Sequence, residues 1–95
     1  MDVASIRHKG LRRLTETGDT KGVMEPERLR RMLSYIVLAK SFDEFFVPPN
    51  FGFHSLTGDR KGTYAMTVTK NWRLTVKRVD EQTVADLDLE DYHGA

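Results

Sequence analysis

At Val47-Pro-Pro-Asn50 the periodicity of the apolar residues changes. Upstream they recur every three to four positions, the spacing of one helix face; downstream they alternate with polar residues, the spacing of a half-buried strand. Two consecutive prolines lack amide donors and fix φ, so no helix continues through them. Such a chain is α+β, helices first and strands after, with both halves sharing one core. Its 95 residues make a single domain, 1–95.

The first half predicts two helices. In Lys9–Thr17, Leu11 and Leu14 stand at i, i+3, and Gly18 suits a C-cap. Pro26 suits the first turn of a second helix ending near Ser41. Its apolar side carries Leu29, Met32, Leu33, Ile36 and Val37, and its other side Glu27, Arg28, Arg30 and Arg31. The small and charged segment Gly18–Glu25 reads as a flexible connection, and Val3–His8 as a short first strand.

The second half predicts four strands. The segment 51–56 is the first, and three alternating runs follow: Tyr64-Met66-Val68, Trp72-Leu74-Val76 and Ala85-Leu87-Leu89. The connections at 57–62, 70–71 and 80–82 join only antiparallel neighbours. Apolar phase sets the register, because a slip of one residue turns a strand over. Val68 then pairs with Trp72, and Val79 with Gln82, placing Leu74 opposite Leu87 and Arg73 opposite Asp88. The expected architecture is a small antiparallel sheet, a meander of four strands plus the N-terminal strand, with both helices on its apolar face. The polar face displays Arg73, Thr75, Lys77, Asp86 and Asp88.

Composition narrows the chemistry. There is no cysteine, which rules out disulfide scaffolds and thiolate zinc sites. No apolar run approaches the roughly 20 residues that span a bilayer, and no signal-peptide core opens the chain, so the cytoplasm is the expected location. Net charge is only +1, yet the signs segregate: positions 1–40 hold nine Lys and Arg against five acids, and positions 80–93 hold six acids and no Lys or Arg. That asymmetry suits an anionic partner, although a mixed solvated surface reads equally well.

Proton-handling groups gather at the end of the last strand, in Asp91-Tyr-His93. His93 has an imidazole whose ordinary pKa lies near neutrality. His54 precedes the turn 57–62; a lone histidine there also serves as a simple hydrogen-bonding partner on the sheet. Arg73 is either an ion pair with Asp88 or a guanidinium fork for phosphate. Arg60 and Lys61 occupy the turn. Histidines at 8, 54 and 93 lack metal-ligand spacing, and no metal site is expected. His8 beside Lys9 reads as surface.

Taken in order, Ile6-Arg-His-Lys-Gly-Leu11, His54-x-Leu-x-Gly-Asp-Arg-x-Gly62, Asn71-Trp-Arg73 and Asp91-Tyr-His93 resemble the HigB-type toxins of the RelE superfamily. The resemblance spans nearly the whole chain. It implies a RelE-like α+β fold and a toxin of a type II toxin–antitoxin pair that cuts mRNA in the ribosomal A site with no metal or other cofactor. It implies as partners a HigA-type helix-turn-helix antitoxin, the 70S ribosome with its mRNA, and operator DNA only through the antitoxin complex; no membrane is involved. It carries catalytic roles onto His54, Arg73, Asp91, Tyr92 and His93. His93, steadied by Asp91, is the expected base, His54 the acid or a phosphate ligand, and Arg73 the electrostatic clamp. Lys9, Arg12, Arg13, Arg28, Arg30, Arg31, Arg60 and Lys61 are the expected contacts to ribosomal RNA. One position departs from the pattern: where the family commonly has lysine, three residues after the first histidine, this chain has Thr57. Arg60 or Lys61 is a candidate substitute. The alternative is a weakened member, or one that only binds RNA or antitoxin.

Overall fold

The computed structural model describes residues 1–92. Among them the elements run β1 (Asp2–Val3), α1 (Lys9–Thr17), α2 (Pro26–Leu38), β2 (His54–Ser55), β3 (Thr63–Thr67), β4 (Trp72–Asp80) and β5 (Thr83–Asp91). Strands β2 to β5 form the antiparallel meander. β1 adds to the far side of β5 in parallel, giving the order β1-β5-β4-β3-β2. Beyond β1, the N-terminal segment keeps touching β5 through a single bridge, Ile6 to Leu87, so less of 3–8 is strand than its composition suggests.

Helix α1 has the expected bounds. His8 caps it, Nδ1 accepting from the Leu11 amide at 3.2 Å, and Gly18 at φ 78° ends it in the left-handed region. This cap is the use the structure finds for His8. Gly10 lets the next connection approach: a Cβ there would lie 2.8 Å from the Gly22 carbonyl oxygen. Segment 18–25 is thus laid against α1, with Val23 and Met24 packed on the core.

Helix α2 buries Leu29, Met32, Leu33 and Ile36, but Val37 is 58% exposed. It ends at Leu38, earlier than the periodicity suggests. Glu44 explains the stop: its carboxylate accepts from the Lys40 and Ser41 amides at 2.6 and 2.9 Å, starting a 3-10 turn at Phe42–Phe46. That turn sends Phe42 and Phe45 inward. All five phenylalanines lie between positions 42 and 53. Phe42 and Phe53 pack with each other, with Phe45 and with Tyr64, ring centroids 4.7–5.4 Å apart. The proline segment therefore ends the helices and also builds core. A second 3-10 turn, Pro49–Phe51, leaves only His54–Ser55 of the expected first strand of the meander.

β3 and β4 pair as the apolar phase requires, Met66 facing Leu74 and Thr67 facing Arg73. From Trp72 to Thr75 the β4–β5 register differs by two residues from the expected one: Leu74 faces Leu89, and Arg73 faces Glu90, not Asp88. A shift of two keeps every side chain on its face, so apolar phase alone could not detect it. The pairing breaks between Thr75 and Lys77 and between Arg78 and Asp80. At the first break β5 carries an extra residue at Asp86, which adopts φ 54°. Ser5 holds that left-handed backbone: its Oγ accepts from the Asp86 amide at 2.9 Å and donates to the carboxylate at 3.1 Å. Across the bulge the phase moves, so Val84, not Ala85, joins Leu87 and Leu89 in the core.

Candidate active site on the polar face of the sheet

Residues directly paired between antiparallel strands share a face. The rows His54–Ala65–Thr75–Asp88 and Thr67–Arg73–Glu90 therefore lie on the face away from the apolar core. His54 and Arg73 share that surface two strands apart, roughly 12 Å between Cα atoms by standard strand spacings.

His54 is exposed on the edge strand β2. Its Nδ1 lies 2.9 Å from the Gly52 carbonyl oxygen. A carbonyl only accepts, so Nδ1 carries the proton and Nε2 is the working nitrogen, an acceptor when the ring is neutral and a donor when it is charged. Gly52, at φ 53°, turns the chain back to make that contact.

Arg73 is fixed from one side. Nη1 donates to the carbonyls of Thr69, Lys70 and Trp72 at 2.8, 3.2 and 3.2 Å. Among the described residues, Nε and Nη2 have no hydrogen-bond partner. These two form the edge that meets a carboxylate or phosphate in bidentate fashion. The guanidinium carbon stands 5.1 Å from the centre of the Tyr92 ring, a cation–π contact. Tyr92 is placed by its amide, which donates to the Asn71 carbonyl at 2.6 Å. Asp91 pairs with Trp72 in the register and so starts from the opposite face to Arg73. His93 lies outside the described residues.

The largest departure from expectation is Arg60. The 3-10 turn Gly58–Arg60 brings its guanidinium to β5, where Nη1 and Nη2 meet the two Glu90 oxygens at 2.6 and 2.7 Å. Thr75 Oγ1 donates to the same carboxylate at 2.6 Å. Thr75 is 1% exposed, although it sits on the polar face. The hydrogen bond from Arg60, assisted by that from Thr75, holds the Glu90 carboxyl below its usual range against the opposing effect of burial. The Arg60 guanidinium is correspondingly raised, first by its bond to Glu90 and in smaller part by the nearby phenol of Tyr92. The site therefore holds two guanidinium groups, Arg60 and Arg73, at the end of the sheet where Tyr92 lies.

A model of the HigB-like toxins, described as the RelE-like toxin of the type II toxin–antitoxin system HigB, matches residues 4–93. This chain belongs to the HigB-like toxin family. Over 93 residues it is 36% identical to a Proteus vulgaris protein named endoribonuclease HigB, an alignment covering 96% of this chain and 99% of the relative. Family membership makes the protein a type II toxin and implies an antitoxin partner. No helix among the described residues is long and apolar enough to cross a membrane.

The basic residues outside this site divide by what they touch. Arg28 donates through Nε to the Val68 carbonyl at 2.9 Å and through Nη2 to the Asn50 and Thr67 carbonyls at 3.0 and 2.9 Å, bolting α2 to the end of β3. Arg12 bonds the Ile6 and Arg7 carbonyls at 3.2 and 3.3 Å, tying α1 to the N-terminal segment. Arg30 bonds Glu27 and the Gly18 carbonyl. Lys9, Arg31 and Lys61 are exposed and Arg13 half-buried; among the described residues, no side-chain hydrogen bond holds these four. Glu90 and Thr75 belong to the site although the sequence pattern did not assign them to it. Alternation from Arg73 and Asp88 put Thr75 on the polar face, but the two-residue register shift concealed Glu90.

Proposed function

We propose that this toxin is a ribosome-dependent endoribonuclease that cuts mRNA in the A site, with the RNA 2′-hydroxyl as nucleophile. The observation that carries this reading is the placement, on one polar face, of His54 and of an arginine, Arg73, whose Nε/Nη2 edge meets no hydrogen-bond partner among the described residues. The name of the Proteus vulgaris relative agrees with it. In the reaction, the 2′-oxygen bonds to the adjacent phosphorus as the bond to the 5′-oxygen breaks, giving a 2′,3′-cyclic phosphate and a 5′-hydroxyl. His93, supported by Asp91, takes the 2′-hydroxyl proton. His54 Nε2 supplies a proton to the leaving oxygen. Arg73 stabilises the charge on the phosphorane, and Tyr92 supports a nucleobase or the phosphate. Acid–base groups of this kind contribute about 10²–10⁴ in rate, and alignment of the 2′-oxygen contributes further. Lys9, Arg13, Arg31 and Lys61 meet ribosomal RNA. The protein works in the cytoplasm, where a helix-turn-helix antitoxin neutralises it and carries the complex to operator DNA.

Primer extension on a reporter mRNA, with and without ribosomes, tests the reading. New 5′ ends should arise only with ribosomes present, and His54→Gln should remove them. Intact mRNA with the wild-type protein under both conditions would overturn it. That result would favour the second reading, a member that binds without cleaving, which Thr57 in place of lysine supports.

A further inference from the structure

Building on the RNA-cleaving reading, we infer that Arg60 supplies a second phosphate-gripping cation beside Arg73, where Thr57 offers none, and that Glu90 is the residue that positions it. Position 57 offers only a hydroxyl. Three residues later, Arg60 reaches from the turn to the Glu90 carboxylate and contacts both oxygens, at 2.6 and 2.7 Å. Thr75, almost fully buried, fixes one of those oxygens at 2.6 Å. Glu90 faces Arg73 in the register and precedes Tyr92 by two residues, and the Tyr92 phenol acts on the Arg60 guanidinium, so the held cation is anchored on the residue that pairs with Arg73. A guanidinium has five N–H donors in a fixed plane. Glu90 occupies one on each terminal nitrogen. Among the described residues nothing else takes Nε–H or the second hydrogen of each terminal nitrogen, which leaves them for phosphate oxygens.

The pair has no net charge, so its value lies in orientation. A guanidinium held before the substrate arrives does not have to reorganise when negative charge grows on the phosphorane, and donors arranged in this way act mainly on the chemical step. A cation remote from the reacting phosphate would attract ground-state RNA and transition state alike. The competing account is that the pair only tethers the turn to the sheet.

A charge exchange separates the two accounts, because Arg60→Glu with Glu90→Arg restores the tether while moving the guanidinium to β5. Thermal midpoint, kcat and KM for cleavage of ribosome-bound mRNA are measured for wild type, R60A, R60K, E90Q, the exchanged double variant, and R60A carrying T57K. Arg60→Ala should lower kcat about 10²-fold with KM shifted less than about fivefold. Glu90→Gln should lower kcat in the same way by a smaller factor, about tenfold. R60K should recover only part of the loss, since an ammonium cannot span both carboxylate oxygens and a phosphate in one plane. The exchanged variant should regain the thermal midpoint and not kcat, and T57K should restore part of kcat to R60A. Wild-type kcat in R60A to within about threefold, or recovery of kcat together with the midpoint in the exchanged variant, would show a tether only and overturn the proposal. Absence of cleavage by the wild type would instead remove the RNA-cleaving reading itself, so the two failures are distinct.

Discussion

The two faces of the sheet are built on opposite terms. On the helix side, Leu11, Leu29, Met32, Ile36, Phe45, Met66, Leu74 and Leu87 are almost completely hidden from water. Their contacts are non-directional, and stability scales roughly with the apolar area removed from solvent. On the other side, Thr75 is the single fully buried polar residue among those described, and the charged groups are held by directed bonds. Arg73 leans on three backbone carbonyls, Arg60 on one carboxylate, and His54 on one carbonyl. The first face stabilises the fold and tolerates rotation of its parts. The second fixes donors in direction, which is what stabilising a developing charge requires. Substitutions on the two faces should therefore be read out by different measurements.

Phe45→Ala should have the largest effect and fall entirely on stability. The ring is fully buried against Tyr35, Phe42 and Phe53, and its loss should cost about 3–5 kcal/mol in urea unfolding. A change below about 1 kcal/mol would mean that the aromatic cluster is not part of the cooperative core. His54→Gln should do the reverse. Its side chain is exposed, so the unfolding free energy should stay within about 0.5 kcal/mol, while mRNA cleavage falls about 10²–10³-fold. Full cleavage by this variant would take His54 out of the chemistry.

Arginines sharpen the same contrast at smaller scale. Arg28→Ala should cost about 1–3 kcal/mol of stability, because three carbonyls lose a charged donor, two of them partly buried. Arg31→Glu should leave stability unchanged and weaken ribosome association, with a shallower dependence on salt. If Arg31→Glu binds ribosomes like wild type throughout a salt titration, the helix face is not a contact. Arg12 is a poor choice for that experiment, since reversing its charge also breaks its bonds to the Ile6 and Arg7 carbonyls.

The smallest effect concerns acid. Glu90 is held below its ordinary 4.5 when folded, mainly by the bond from Arg60. Its stabilising contribution is therefore present above that ordinary value and disappears as pH falls through the lower folded value. Arg60 is substantially exposed, so solvent screening limits the gain to under about 1 kcal/mol. Denaturation of wild type and Glu90→Gln should show a small stability difference at neutral pH that closes in acid. A gap that widens on acidification contradicts the depressed carboxyl.

Much of this division was legible in the chain itself. Leu11 and Leu14 with Gly18 gave the bounds of α1, and Pro26 the start of α2. The tight connection at 69–71, together with alternating apolar residues, gave the β3–β4 register. His54 and Arg73 were assigned from the family pattern, and the structure puts them on one face. Other features were hidden for physical reasons. Val37 fits the helical period, yet Leu29, Met32, Leu33 and Ile36 already fill the stripe that meets the sheet. The bulge at Asp86 depends on Ser5, 81 positions away, and no local pattern reports such a partner. His8 looked like surface because a cap is recognised by geometry, and histidine is not among the usual capping residues.

Local spacing of apolar residues and two prolines were enough to order helices before strands and to give the sheet one dry face and one wet one. Those properties follow from backbone periods of 3.6 and 2, which any segment carries in its own sequence. Which carboxylate meets which guanidinium is not a local property. It depends on a register shift that leaves the apolar phase unchanged and on a turn that carries Arg60 to Glu90. Only assembly of the whole sheet selects among pairings that bury the same surface, so the composition of the site was decided in three dimensions.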